Sequence, residues 1–180
     1  LTIKEGAFYG STIVTLTFQA GASPTLNHDS FGRVTFTNAL TLPKLYQNIP
    51  SNAFYGATFM SSLFLPDELK TVKDYAFYHA TFNEDLTIKN KVTTLEEYSF
   101  YYATFLKKVK FEKDNTAISE NTFNEATFVD SLTLPTELTS IPTSAFESAN
   151  FNSAFSLPIK VQTISQKAFM DAQFSGNLVL

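Results

Sequence analysis

A phenylalanine recurs in this sequence every 23 residues, and this repeat constrains the fold more than any other feature. In most copies it follows a small residue, as in Ala53-Phe54, and a second phenylalanine follows five residues later, as at Phe59. Such self-similarity predicts a stack of structural units without a single central core. The first phenylalanines are Phe8, Phe31, Phe54, Phe77, Phe100, Phe123, Phe146 and Phe169. The second are Phe36, Phe59, Phe82, Phe105, Phe128, Phe151 and Phe174, with Ile13 in the first unit.

The rest of each unit is also regular when its first phenylalanine is numbered 0. Small residues, mostly alanine, occupy +3, and apolar residues occupy +9 and +11, as in Leu63 and Leu65. Alternation with a period of two predicts a short strand with one buried face. A proline at +12, such as Pro66, should end that strand because proline cannot donate a ladder hydrogen bond.

The segment before each phenylalanine carries the signals of a short helical turn. Proline followed by polar residues, as in Ile49-Pro50-Ser51-Asn52-Ala53, fits one turn of 3₁₀ or α type with a capping hydroxyl. Stacked units should then pair strand on strand, about 4.7–4.9 Å apart, with the phenylalanines piled in the interior. The structural ladder that we expect in the interior includes Phe54, Phe59, Phe77, Phe82, Phe100, Phe105, Phe123 and Phe128.

Two units depart from the pattern. In the first unit the alternating pair is Leu16 and Phe18, one residue early, and an extra residue follows between Gln19 and Pro24. In the fifth unit Asn115 stands where other units carry an aliphatic residue. We expect a local bulge there, since an inward polar residue must find a hydrogen bond.

Composition excludes several classes of protein. Hydrophobic residues make up 44% of the chain and charged residues 17%, so it is too apolar to be disordered. It has no cysteine, and the net charge of −4 provides no general attraction to nucleic acid. No apolar run is long enough for a transmembrane helix. We expect residues 1–180 to form one array of about seven and a half repeats, cut from a longer chain, with no cofactor.

The pattern resembles the BspA-like class of leucine-rich repeats, whose units of the same length combine Ala-Phe, a short Ile-x-Ile strand and a Val-x-x-Ile step. The matching pieces include Ala76-Phe77, Leu86-Thr87-Ile88 and Val92-Thr93-Thr94-Leu95. Alanine replaces the class's cysteine at +3 in most units, which keeps a small side chain there. Phenylalanine at +5 stands in for a leucine at +6, which suggests different packing on the convex side.

The resemblance implies a leucine-rich-repeat solenoid. This would be a right-handed stack of units with a parallel β-sheet on one face and short 3₁₀ or helical turns and loops on the other. It also implies a bacterial or protozoan protein at the cell surface or outside the cell, which acts in adhesion by binding a host, matrix or neighbouring surface protein. The alternative is a structural spacer or a self-assembling surface layer that associates end to end.

No arrangement in the sequence points to catalysis or to a metal. His28 and His79 occupy different positions of their units, with no acid at a metal-ligand spacing, and are expected at the surface. No glycine-rich phosphate loop or Gly-x-Ser-x-Gly elbow is present. Adjacent acids such as Asp67-Glu68 and Glu96-Glu97 are better explained as solvated turns than as an acid/base pair. The sequence therefore predicts a protein that is not an enzyme.

Outward strand residues are the first candidates for binding. A solenoid sheet presents its outward side chains as one continuous surface, and an exposed aromatic such as Phe64 beside hydroxyls resembles a binding anchor. Threonine at neighbouring +10 positions also simply suits an exposed strand. The candidates on this face are Thr41, Ser62, Phe64, Asp85, Thr87, Lys108, Lys110 and Thr133.

Tyrosines form a second candidate surface in the middle of the chain, near lysines that include Lys113. Tyr78 and Tyr101 occupy +1 of successive units and should stack near the repeat edge. Tyrosine supplies contact area to a partner protein at low entropic cost, although packing between repeats would also explain the pattern. Acidic residues interleaved with the lysines argue against a nucleic-acid site.

Overall fold

The computed structural model describes residues 1–112 and 117–180 as a stack of eight coils built from short parallel strands. Each coil is one repeat, and strands pair with the same position of the next repeat, as Phe82 does with Phe105. The stack predicted from the phenylalanine period is thus confirmed. The bulge expected around Asn115 falls outside the described residues, and so does Lys113.

One sheet, the long sheet, runs through all eight repeats. It pairs the residues at +4 and +5, so that Thr58 faces outward and Phe59 inward, and the same alternation recurs along the sheet. Its strands are β2 (Thr12–Ile13), β4 (Thr35–Phe36), β7 (Thr58–Phe59), β10 (Thr81–Phe82), β13 (Thr104–Phe105), β16 (Thr127–Phe128), β19 (Asn150–Phe151) and β22 (Gln173–Phe174).

A second strand row begins at +9, where the apolar alternation predicts it. Strands followed by a proline at +12 have two residues, whereas β11 and β14, which are followed by Lys89 and Glu112, have three. This difference fits the loss of a ladder donor at proline. The row is interrupted, and its strands are β5 (Leu40–Thr41), β8 (Leu63–Phe64), β11 (Leu86–Ile88), β14 (Val109–Phe111), β17 (Leu132–Thr133), β20 (Phe155–Ser156) and β23 (Leu178–Val179).

A third strand row lies at +17 and +18, and it is also interrupted. Most repeats therefore contribute three short strands, and the expected sheet on a single face describes only part of this arrangement. The strands of the third row are β1 (Thr2–Ile3), β3 (Thr25–Leu26), β6 (Asn48–Ile49), β9 (Thr71–Val72), β12 (Thr94–Leu95), β15 (Ala117–Ile118), β18 (Ser140–Ile141) and β21 (Thr163–Ile164).

The described residues contain no helix, so the prediction of a 3₁₀ or helical turn before each phenylalanine is wrong. Residues two positions before and after the first phenylalanine of each repeat have positive φ, such as 55° at Asn52 and 62° at Gly56. In each repeat, two left-handed residues four positions apart interrupt any helical backbone. The N–H of Phe54 instead donates to the carbonyl of Ala76 in the next repeat, over 2.9 Å.

Two columns of stacked phenylalanine rings fill the interior. The ring centroids of Phe77 and Phe100 lie 5.2 Å apart, and those of Phe82 and Phe105 lie 5.1 Å apart, with nearly parallel planes. These four rings are almost completely buried, and each contributes about 1.5–3 kcal/mol of hydrophobic stabilisation. The ladder expected from the sequence is therefore the core of the fold.

We expect the energetic cost of removing a ring to depend on its stacking neighbours. Phe100 is buried between Phe77 and Phe123, whereas Phe169 is partly buried and stacks on Phe146 alone among the first phenylalanines. Phe100→Ala should lower the free energy of unfolding by about 3–5 kcal/mol, and Phe169→Ala by less. Urea denaturation of both variants measures the difference. Equal losses would contradict a stack in which repeats contact only their neighbours.

A matched pair of serines tests hydrogen bonding in the core. The Ser99 hydroxyl is buried and has no hydrogen-bond partner among the residues that the structure describes, whereas the equivalent Ser30 hydroxyl donates to the Ile3 carbonyl over 3.1 Å. Ser99→Ala should raise the free energy of unfolding by about 1 kcal/mol, and Ser30→Ala should lower it by about the same amount. Thermal unfolding of the two variants checks the prediction, and changes of the same sign would contradict it.

Candidate functional site

The outward residues of the second strand row form one strip along the stack, which we call the +10 strip. Thr41 lies beside Phe64, and Lys110 lies between Thr87 and Thr133, because these residues are register partners in paired strands. The Phe64 side chain is 51% exposed. Thr41, Lys110 and Thr133 are exposed, and Thr87 is half-buried. The strip therefore combines hydroxyls, one aromatic ring and one positive charge on rigid strands.

Three further candidates border the strip at +8. Ser62 is half-buried, whereas Asp85 and Lys108 are exposed in successive repeats. The backbone N–H of Lys108 donates to Oδ1 of Asp85 over 3.1 Å. Asp85 thus helps to join two repeats, while the ammonium group of Lys108 has no partner among the described residues.

Tyr78 and Tyr101 belong to a different part of the repeat, since the long sheet lies between them and the +10 strip in the chain. Their rings stack with centroids 5.2 Å apart, and Tyr55 stacks on the other side of Tyr78, also at 5.2 Å. Tyr75 and Tyr98 form a parallel stack at 5.0 Å. Because these rings cover one another's faces, the tyrosine patch exposes mainly ring edges and hydroxyls. Packing between repeats accounts for this geometry.

The Glu125 carboxylate interacts with the hydroxyls of two tyrosines. The Tyr101 hydroxyl donates to Oε1 of Glu125 over 3.3 Å, and Tyr102 also hydrogen-bonds Glu125. Burial raises the pKa of Tyr101, with the charge of Glu125 adding to the effect. The hydrogen bond to Glu125 is the main reason that the pKa of Tyr102 is raised. Both phenols therefore stay protonated near neutral pH and offer hydrogen-bond donors, not bases.

The two histidines have different surroundings. Glu5, His28 and Asp29 offer ligand atoms within 4.8 Å of one another, so the expectation that no acid lies at a ligand spacing is wrong for His28. Glu5 occupies the position of His28 one repeat earlier, and stacking places the two side by side. His28 and His79 are both exposed, as predicted. The His79 ring stacks on the Tyr102 ring, with centroids 4.6 Å apart.

The acidic pairs contribute to stacking. Asp67 lies 3.6 Å from Lys89, and Glu68 lies 2.5 Å from Lys91, both across one repeat boundary. The charged groups are largely solvated, so each such ion pair is worth at most about 1 kcal/mol. These acids are surface residues, as predicted, although they pair with lysines of the neighbouring repeat.

The sequence prediction missed the outer face of the long sheet. Its outward threonines form a column through the first six repeats, and apolar side chains flank it at +6. The signal was present, since a small residue at +3, threonine at +4 and phenylalanine at +5 alternate in the manner of a strand. The exposed apolar side chains at +6 are Val14, Met60, Leu106 and Val129.

The repeat pattern matches a known family. The family described as the BspA type leucine-rich-repeat region matches in six copies, over residues 1–128 and 47–175. The chain belongs to this BspA-type leucine-rich-repeat family. Leucine-rich repeats of this type are typically non-catalytic modules of surface or protein-interaction proteins. No curated protein and no solved structure matches the chain significantly.

None of the described residues belongs to a helix with the length and apolarity needed to cross a bilayer.

The role of the tyrosine patch can be tested at its centre. Tyr78→Ala should lower the free energy of unfolding by about 1–3 kcal/mol, because it removes a ring stacked on both sides. Tyr78→Phe keeps the ring and serves as the matched control, with stability close to that of the parent. Chemical denaturation of both variants shows whether the tyrosine ring contributes to packing between repeats. A stable Tyr78→Ala variant would remove packing as the reason for the tyrosine column.

Proposed function

We propose that this chain is a cell-surface protein-binding or adhesion module, and that its partner is a host, matrix or neighbouring surface protein. The contact is made through the +10 strip, from the second repeat to the fifth. No catalytic step is part of this function. Membership of the BspA-type family supports the general role, since these repeats occur in surface and protein-interaction proteins.

The observation that carries the proposal is the exposure of Phe64. A half-exposed phenylalanine on a short rigid strand has its position fixed before any partner arrives, which lowers the entropic cost of binding. Aromatic side chains of this kind are enriched in protein interfaces, and a few residues commonly carry most of the binding energy. Thr41 is its register partner and supplies a hydroxyl beside the ring.

The positive charge of the proposed contact lies at the opposite end from Phe64. Lys110 and Lys108 stand exposed in the fifth repeat, two repeats beyond Phe64, and hydroxyl residues lie on both sides of Lys110 in register. An acidic partner segment would complement these lysines, and such complementarity mainly raises the association rate and the specificity. We therefore expect a partner surface with an apolar pocket for Phe64 and acidic groups beyond it.

Two substitutions test the strip. Phe64→Ala and Lys110→Glu should each weaken binding to purified extracellular-matrix proteins at least fivefold, measured by biolayer interferometry against an immobilised panel. Neither should lower the melting temperature, because both side chains point outward. Binding that is unchanged in both variants would remove the +10 strip from consideration.

Matched controls separate the strip from the remaining surface. Val129→Ala removes an exposed apolar side chain beside the long sheet, and Lys4→Glu reverses an exposed charge just before the first repeat. Both should bind like the parent protein. Sedimentation over a concentration series examines the alternative role: large assemblies that persist in the Phe64→Ala variant would favour a self-assembling layer over a binding module.

A further inference from the structure

We propose that a groove between the first repeat and strand β5 binds an extended segment of a partner protein as an added parallel strand. This inference rests on the proposed protein-binding function and deepens it, because it names a second contact site and the conformation of the segment that enters it. The groove borders the +10 strip at Thr41 but is not lined by Phe64 or Lys110.

The groove exists because the first repeat leaves the common register. In later repeats the turn after the second strand row closes at +12, as when the Tyr46 N–H donates to the Pro43 carbonyl over 3.1 Å. In the first repeat the equivalent turn closes one residue early, from the Ala22 N–H to the Gln19 carbonyl over 2.9 Å. A slip of one residue turns ladder groups away from their partners. Residues 15–19 consequently form no strand beside β5.

The edge of β5 that faces the first repeat is left without partners. In the next repeat, the carbonyls of Ser62 and Phe64 accept hydrogen bonds from the N–H groups of Leu40 and Leu42, over 3.0 and 3.2 Å. The equivalent carbonyls of Ala39 and Thr41 have no donor among the described residues, and the Thr41 N–H has no acceptor there. Three main-chain groups in a row thus match what another strand would satisfy.

The other interruptions of the second strand row differ from this one. Between β8 and β11, and between β17 and β20, both strands exist and remain neighbours. At the first repeat the neighbouring strand is missing altogether, and an open groove of about 630 Å³ occupies its place. This volume lies within the range of sites that bind small ligands or short peptide segments.

The walls of the groove define the chemistry of the segment. Residues 15–22 form one wall, with Leu16 and Phe18 half-buried, and Leu42 and exposed Leu45 belong to the other. Thr41 lines the outer side. A matching segment is extended, alternates apolar with hydroxyl or small residues, and runs parallel to β5, as every strand neighbour in this fold does.

The chain itself supplies a suitable probe. Leu40-Thr41-Leu42-Pro43 and Leu132-Thr133-Leu134-Pro135 are identical second-row segments, so residues 130–136 carry the sequence that stacks in register elsewhere. A fluorescein-labelled peptide of residues 130–136 should bind the 180-residue protein saturably in fluorescence anisotropy. Absence of saturable binding would overturn the proposal.

A substitution in β5 removes a hydrogen bond to the peptide without removing any hydrogen bond within the protein. Thr41→Pro deletes the N–H that has no acceptor, and proline is tolerated on a strand edge whose N–H is unpaired. Peptide affinity should fall at least tenfold while the melting temperature stays within a few degrees. Thr41→Val also removes the hydroxyl but keeps the N–H, so its peptide affinity should exceed that of Thr41→Pro at least fivefold. Equal affinities of the two variants would contradict strand addition.

Two modified peptides test the same geometry without changing the protein. By analogy with Leu40, the N–H groups of the peptide leucines should donate to the β5 carbonyls, whereas the threonine N–H between them points away. N-methylation of the first leucine should reduce affinity at least tenfold, and N-methylation of the threonine should leave it within twofold. Equal effects of the two modifications would overturn the proposed pairing.

Further outcomes separate this proposal from competing explanations. A dimer that forms without peptide and is lost in Thr41→Pro would show that a second copy occupies the groove, which overturns a partner segment as the occupant. Peptide binding together with no effect of Phe64→Ala on matrix-protein binding would support the groove and refute the +10 strip. The reverse result would refute the groove alone.

Discussion

In-register stacking of identical phenylalanine side chains is the interaction on which the whole structure depends. Rings of successive repeats lie about one strand spacing apart, and each ring within the stack is covered by the ring before and after it. A ring can stack only at the same height in every coil, so the number of residues between rings is fixed. Where the first repeat runs one residue early, an extra residue restores the register by β3, which pairs with β1. Changes in chain length within a repeat are therefore compensated before the next stacked position.

Much of this interior could be predicted from the sequence, because side-chain burial follows a long regular period. The phenylalanine columns and the second strand row both follow from spacings repeated many times. The long sheet was missed because its signal in most repeats is only a small residue, a threonine and a phenylalanine at +3 to +5, and the inward residue at +3 is too small to stand out as apolar. The helical turn was predicted wrongly because left-handed backbone is carried by residues such as Tyr75 and Glu125, at φ 55° and 56°, whose side chains do not signal it.

The surface was harder to predict for a different reason. Outward positions such as Phe64 follow from the strand alternation within one repeat. Neighbours from different repeats depend on register, which places Glu5 beside His28 and leaves one edge of β5 without a partner. A slip of one residue is visible in the sequence, but its result is a set of unpaired carbonyl and N–H groups. Such groups belong to the backbone, and no residue type identifies them.

The two-residue strands also determine how the stack would respond to force. Hydrogen bonds between repeats run along the stack axis, so tension applied to the two chain ends would load them one coil at a time. Each coil could peel from its neighbour by breaking a few hydrogen bonds and one layer of ring contacts, while the remaining coils stay folded. A protein built in this way can lengthen in steps of about 23 residues and absorb mechanical work without losing its whole fold at once.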